Sequence, residues 1–92
     1  MLIAYDVATA DKEGEKRLRR VARACEDFGQ RVQKSLFECH LEPKDWTALR
    51  QRLMTEIDSK QDNLRFYFLD AATRIEHHGT DEPIDLQGAL IL

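Results

Sequence analysis

The chain has 92 residues, enough for one small domain, and 42% of them are hydrophobic against 34% charged, a balance that excludes disordered and fibrous classes. No stretch approaches the ~18 apolar residues of a membrane span, and the N-terminus lacks the basic n-region and small-residue cleavage site of a secretory leader, so a cytoplasmic protein without a membrane partner is expected. The net charge of −3 speaks against a general nucleic-acid binder but hides a split: residues 12–34 hold eight basic against four acidic side chains, and residues 70–92 one basic against five acidic.

Met1 to Val7 (M-L-I-A-Y-D-V) is a short apolar run followed by loop-like residues, and it reads as a buried strand. Asp6 interrupts it. Asp is a poor strand residue, and an ionised carboxylate is costly to bury unpaired. It is therefore either a cap for the following loop or a site.

Asp11 can cap a helix beginning near Lys12. Leu18, Val21, Ala22, Cys25 and Phe28 supply its apolar series, and Gly29 stands where a C′ glycine belongs. At 100° per residue, Lys16, Arg19, Arg20 and Arg23 share the face opposite the core, with Arg17 on the flank. Such a run is usually a solvated face, but this one is more one-sided than solubility requires.

Gln30 to Leu41 is a strand region. Phe37, Cys39 and Leu41 lie on odd positions and Val32 on an even one, so the register shifts near Lys34-Ser35. That implies a bulge, with Ser35 as its residue, or two short strands with a tight connection. Pro43 at N1 and Asp45 in the first turn open a second helix, with Trp46, Leu49, Leu53 and Ile57 as its buried stripe. Asn63 to Leu69 alternates Leu64, Phe66 and Phe68 against Arg65, Tyr67 and Leu69, the strongest strand signal in the chain. Thr73 to His78 is a weaker strand, placed at an edge. From Gly79 the chain is irregular and ends in apolar Ala89-Leu90-Ile91-Leu92.

Strands around two helices of this length give an α+β, ferredoxin-like βαββαβ sandwich with an extra C-terminal strand. Residues 1–78 form the domain and 79–92 a tail. A core this small favours pairing with a second copy. Cys25 and Cys39 fit no metal spacing and sit in apolar patterns, as reduced core thiols do.

The chemistry is sparse. There is no Gly-rich phosphate loop, CxxC pair, H-E-x-x-H or G-x-S-x-G. His77 and His78 point to opposite faces of a strand and cannot chelate together. Asp6 remains, beside Tyr5, with Arg17, Arg31 and Lys34 as neighbours. One carboxylate is a weak Mg²⁺ site; two copies about a two-fold axis bring two Asp6 side chains together. A shared ion would then activate water towards phosphorus, with basic residues holding the polyanion.

Five segments occur in order: Ile-Ala-Tyr-Asp-Val (3–7), Lys-Arg-Leu-Arg-Arg-Val-Ala-Arg-Ala-Cys (16–25), Gly-Gln-Arg-Val-Gln-Lys-Ser-Leu-Phe-Glu-Cys (29–39), Leu-Arg-Phe-Tyr (64–67) and Ile-Glu-His-His-Gly (75–79). Together they resemble the Cas-two (Cas2) family of small CRISPR-associated proteins. The tail Ile-Asp-Leu-Gln-Gly-Ala-Leu-Ile-Leu (84–92) is similar to the ending of one branch. The resemblance implies a ferredoxin-like homodimer whose last strand docks on the partner's sheet, making 79–92 a dimer- and partner-binding tail. It implies that Asp6 faces its symmetry mate and binds Mg²⁺ or Mn²⁺ shared between the two subunits. Some members of the family cut single-stranded RNA or duplex DNA. In spacer acquisition the dimer bridges copies of the larger Cas-one (Cas1) integrase and holds duplex DNA. Tyr5, Arg17, Arg31 and Phe37 match positions linked to nuclease activity, so with Asp6 they are the catalytic candidates. Lys16, Arg19, Arg20, Arg23 and Lys34 are the nucleic-acid-binding candidates. The clearest departure is the lack of a second acid beside Asp6.

The sequence thus points to a metal-dependent endonuclease of spacer acquisition, with a catalytically silent nucleic-acid scaffold as the alternative. A small-molecule-sensing ferredoxin-like regulator fits less well, given the basic first helix and the missing Gly-rich ligand loop.

Overall fold

The computed structural model describes residues 1–68 and 74–80. Its elements are β1 (Leu2–Asp6), α1 (Lys12–Phe28), β2 (Gln30–Gln33), β3 (Leu36–Glu38), α2 (Pro43–Glu56), β4 (Asn63–Phe68) and β5 (Arg74–Gly79). The strands form one sheet in the order β2-β3-β1-β4-β5, and every neighbouring pair is antiparallel. This is the ferredoxin-like arrangement expected from the sequence, with β5 added at the edge beside β4. The tail from 81 onwards lies outside the described residues.

β1 is the central strand, and its alternation divides the molecule. Ile3, Tyr5 and Val7 join the main core under both helices, where Val21, Ala24 and Cys25 of α1 and Leu49 and Leu53 of α2 are buried. Ala4 points to the other face and packs with Leu36 and Tyr67 in a second, smaller apolar cluster. β4 divides in the same way: Leu64 and Phe66 enter the helix-side core while Tyr67 enters the other. Trp46 of α2 sets its ring edge-on to Phe66 and Phe68, with centroids 4.7 and 5.4 Å apart, an arrangement that aromatic quadrupoles favour.

Helix ends follow the sequence signals. The Asp11 carboxylate accepts from the Gly14 N–H at 2.7 Å, a cap contributing about 1 kcal/mol. Pro43 opens α2, with Asp45 in the first turn. Gly29 closes α1, donating its N–H to the Cys25 carbonyl at 2.8 Å, but its backbone is extended rather than left-handed. A glycine is needed there for proximity: a Cβ would collide with Cys39 Sγ. Both cysteines are buried and free, and burial pushes the Cys25 thiol up to about 12, so it stays protonated.

The Gln30–Leu41 region resolves as two short strands joined by a turn at Lys34-Ser35, with a further register irregularity between Arg31 and Gln33. Val32 is left 41% exposed, the outcome of its opposite parity. On α1, Val21 and Cys25 of the expected stripe are buried, Leu18, Ala22 and Phe28 are partly buried against the core, and Gly14 and Ala24 are buried as well. Arg17, placed on the flank by the helical wheel, is buried.

Candidate functional site

Tyr5 and Asp6 are adjacent in β1 and lie on opposite faces of the sheet, so their environments share nothing. Asp6 is exposed at the strand's end, and its carboxylate has no ion-pair or hydrogen-bond partner among the described residues. Tyr5 is 2% exposed. Its ring stacks on Phe37 with centroids 6.1 Å apart, and its hydroxyl donates a long bond, 3.4 Å, to the Lys34 carbonyl. Burial, followed by the nearby Cys25, raises the phenol to about 12 despite the opposing Arg31 charge. A phenol that holds its proton so firmly does not act as a base near neutrality.

Arg31 and Phe37 are cross-strand partners in β2 and β3. The Arg31 guanidinium lies 5.2 Å from the Phe37 ring centroid and pairs with Glu26 of α1 at 2.9 Å. Phe37 itself is 1% exposed. Tyr5, Phe37 and Arg31 therefore form one stacked unit on the helix side of the sheet, away from the Asp6 carboxylate. Lys34 is in the β2–β3 turn. The Ser35 carbonyl in that turn accepts the Tyr5 N–H at 3.1 Å, which sets Lys34 at the Asp6 end of the sheet.

Arg17 is held by a residue that the sequence pattern marks only as part of the end of α2. Asp62 is completely buried. Its carboxylate accepts from Arg17 Nε at 2.9 Å and Arg17 Nη2 at 3.3 Å, and from the backbone N–H groups of Ala8 at 3.0 Å and Asp58 at 2.8 Å. Arg17 Nη2 also donates to the Ala8 carbonyl at 3.3 Å. The arrangement ties α1 to the loop after β1 and the loop before β4. It satisfies both buried charges, as a buried pair requires. The Arg17 guanidinium is thus engaged in fixing the loop that follows Asp6. Its pKa is raised further, chiefly by the Asp62 hydrogen bond.

Lys16, Arg19, Arg20 and Arg23 lie on the outer face of α1, as expected. Together with Arg52 and Glu56 of α2 they line a groove of about 480 Å³ on the helical layer. Arg20 pairs with Glu56 at 2.6 Å and Arg52 with Asp27 at 2.7 Å. Arg19 and Arg23 have no partner among the described residues. Arg52 carries no signal of its own in the sequence, because α2 as a whole has no basic run.

Around Asp6 the open face is polar. Asn63 is its directly paired residue on β4. The Asn63 amide is engaged at both ends, with Nδ2 donating to Thr80 Oγ1 at 2.7 Å and Oδ1 2.8 Å from His77 Nε2. Gly79, left-handed at φ 118°, turns the chain so that the Thr80 N–H reaches the Asp62 carbonyl at 3.0 Å. His78 lies on the other face, its ring 6.0 Å from Phe66 and bonded to Glu76. Burial works against ionisation of Glu76, but the His78 and Arg50 hydrogen bonds outweigh it and hold its pKa below the usual range.

Among the described residues, no three His, Cys, Asp or Glu side chains converge on a metal position. One exposed carboxylate fits Mg²⁺ or Mn²⁺, which keeps several waters and takes one or two carboxylates with substrate phosphates. It does not fit a closed protein cage.

The sequence model of the family described as CRISPR associated protein Cas2 matches residues 1–75. The chain belongs to the Cas2 family. It is 51% identical to the CRISPR-associated endoribonuclease Cas2 of Chlorobaculum tepidum over 94 aligned positions, covering 100% of this chain and 98% of that one. It is 46% identical to the CRISPR-associated endonuclease Cas2 of Halalkalibacterium halodurans, covering 99% and 97%. The crystal structure of Streptococcus pyogenes Cas2 at pH 6.5 superposes with a TM-score of 0.69 at 48% identity, covering 77% of this chain and 86% of that one. Membership agrees with the ferredoxin-like sheet. No helix among the described residues is long and apolar enough to cross a membrane.

Proposed function

We propose that this Cas2 chain is a metal-dependent endonuclease of RNA or DNA. It acts in CRISPR spacer acquisition as a homodimer beside the Cas1 integrase. The observation that carries the nuclease reading is Asp6: an exposed carboxylate, without a partner among the described residues, at the end of a central strand whose three preceding residues are buried. The names borne by the relatives, endoribonuclease and endonuclease, support the same class. Asp6 would hold Mg²⁺ or Mn²⁺, and a second copy would add a second Asp6. The ion supplies a Lewis acid for phosphorus and an acidified water. Lys16, Arg19, Arg20 and Arg23 hold backbone phosphates, while the Arg17–Asp62 pair keeps the loop after Asp6 in place.

The test is cleavage of labelled RNA and duplex DNA with Mg²⁺, Mn²⁺ or EDTA, comparing wild type with Asp6→Asn, and sedimentation in parallel. Metal-dependent cleavage confined to the wild type, from a dimer, supports the proposal. Equal rates for both proteins remove Asp6 from the chemistry.

One observation favours the silent scaffold as a second reading. The basic groove lies on the helical layer, whereas Asp6 shares the opposite sheet face with Ala4. In one chain, nucleic acid in that groove does not lie on Asp6. Duplex binding without any metal-dependent turnover would select this reading.

A further inference from the structure

We infer that Asp62, Arg17 and Gly14 are positioning residues for Asp6: they clamp the backbone of Ala8 and so set the affinity of the Asp6 carboxylate for its divalent ion, without touching the nucleic acid. The inference rests on the Asp6-centred reading above. Asp6 has no side-chain partner among the described residues, so the backbone on either side of it fixes where its carboxylate stands. Before Asp6 the support is one-sided. The β3 ladder ends at Ala4 opposite Leu36, with one more bond from the Tyr5 N–H to Ser35, whereas the β4 ladder reaches Asp6 itself, opposite Asn63. After Asp6 the ladder stops, and the side chain of Asp62 takes its place by accepting the Ala8 N–H at 3.0 Å. The Ala8 carbonyl accepts from Arg17 Nη2 at 3.3 Å. The first turn of α1 closes so tightly on that oxygen that a Cβ at Gly14 would run into it. Ala8, two residues beyond Asp6, is thus held at both of its backbone polar groups and pressed from a third element.

The clamp is itself anchored. The Asp62 carboxylate also accepts from Arg17 Nε at 2.9 Å and the Asp58 N–H at 2.8 Å, and its backbone carbonyl accepts the Thr80 N–H at 3.0 Å. Stability alone is a poor reason for such a pair, because a packed apolar pair of similar volume usually serves as well or better. What the charged pair adds is direction, since the guanidinium fork and the carboxylate fix each other's geometry. The Arg17 side chain is only 11% exposed, and its Nε and Nη2 are engaged by Asp62 and Ala8. That sets it apart from Arg19 and Arg23, which have no partner among the described residues. Groups that orient a metal ligand change metal affinity by roughly 10–100-fold when removed.

The test is a Mn²⁺ titration of the full chain without nucleic acid, read by electron paramagnetic resonance below the melting temperature of every variant. Oligonucleotide binding in EDTA is measured beside it. Arg17→Lys keeps a charge next to Asp62 but loses the Nη2 bond to Ala8. Asp62→Asn keeps the shape and loses the charge, and Gly14→Ala displaces the Ala8 carbonyl by contact alone. Each should weaken Mn²⁺ binding roughly tenfold or more, with oligonucleotide affinity in EDTA unchanged. Arg17→Lys, the mildest of the three, decides the matter where either of the others does not fold. Wild-type Mn²⁺ affinity in folded Arg17→Lys overturns the inference. So does a loss confined to oligonucleotide affinity, which would put Arg17 on a phosphate. Asp6→Asn separates this inference from the reading beneath it. If Asp6→Asn still binds Mn²⁺ like wild type, the Asp6 reading falls and the clamp has nothing to position; if it loses Mn²⁺ while Arg17→Lys keeps it, the clamp alone falls.

Discussion

The two faces of the sheet use the same strands for opposite purposes. On the helix side, the polar groups around β1 are committed. Tyr5 is stacked and bonded, Arg31 is paired and laid over Phe37, and Phe37 is closed off from solvent. On the other side Asp6 carries a charge that nothing among the described residues neutralises. A fold gains stability by satisfying polar groups and keeps function where it leaves them unsatisfied. By that criterion the proposed chemistry belongs with Asp6, and Tyr5, Phe37 and Arg31, sequence candidates for catalysis, are engaged with one another on the helix side.

Substitutions can break this division, and the largest effect is expected at the buried pair. Asp62→Ala leaves Arg17 buried without its carboxylate, and the backbone N–H groups of Ala8 and Asp58 without their acceptor. The melting temperature should fall by roughly 10 °C or more, measured by calorimetry, and cleavage should fail because the fold is weakened rather than because the chemistry is. An unchanged melting temperature would show that the pair is dispensable.

Charge reversal in the groove comes next. Arg19→Glu with Arg23→Glu should weaken duplex binding alike for unrelated sequences. The salt dependence should flatten by about 0.9 in log–log slope for each phosphate that is no longer neutralised. A salt titration by anisotropy reads this directly. Strong sequence selectivity in the weakening would place the residues on bases instead.

Tyr5→Phe should change cleavage much less than Asp6→Asn does, because the phenol is buried. It should also alter alkaline stability. The unfolded phenol ionises near its ordinary 10.0 and the folded one near 12, so wild-type stability falls as pH rises from about 10 to 12. Tyr5→Phe should reduce that decline in melts across this range.

The smallest expected effect is at Glu76, whose pKa is held below its ordinary 4.5. Its contribution is present above that value and is lost as pH falls through the lowered one. Glu76→Gln should therefore lose less stability than wild type below about pH 4.5.

Much of this is legible in the sequence because it rests on local periodicity and punctuation. The β1 run, the Asp11 cap, Pro43 at N1, the parity break at Lys34-Ser35 and the alternation of β4 each depend on residues within a few positions of one another. Asp62 is not legible in that way. In the run Asp58-Ser59-Lys60-Gln61-Asp62 it resembles any polar helix end, and its partner Arg17 lies 45 positions away. Arg17 in turn looks like one more cation on a basic helix.

The separation of the two faces is tested most directly by following duplex binding and single-turnover cleavage at saturating protein. Three proteins are compared: wild type, Asp6→Asn and the Arg19→Glu, Arg23→Glu double variant. Asp6→Asn should bind like wild type and not cleave. The double variant should bind weakly yet cleave at the wild-type rate once saturated. If both variants lose binding and cleavage together, or Asp6→Asn cleaves like wild type, the separation is contradicted.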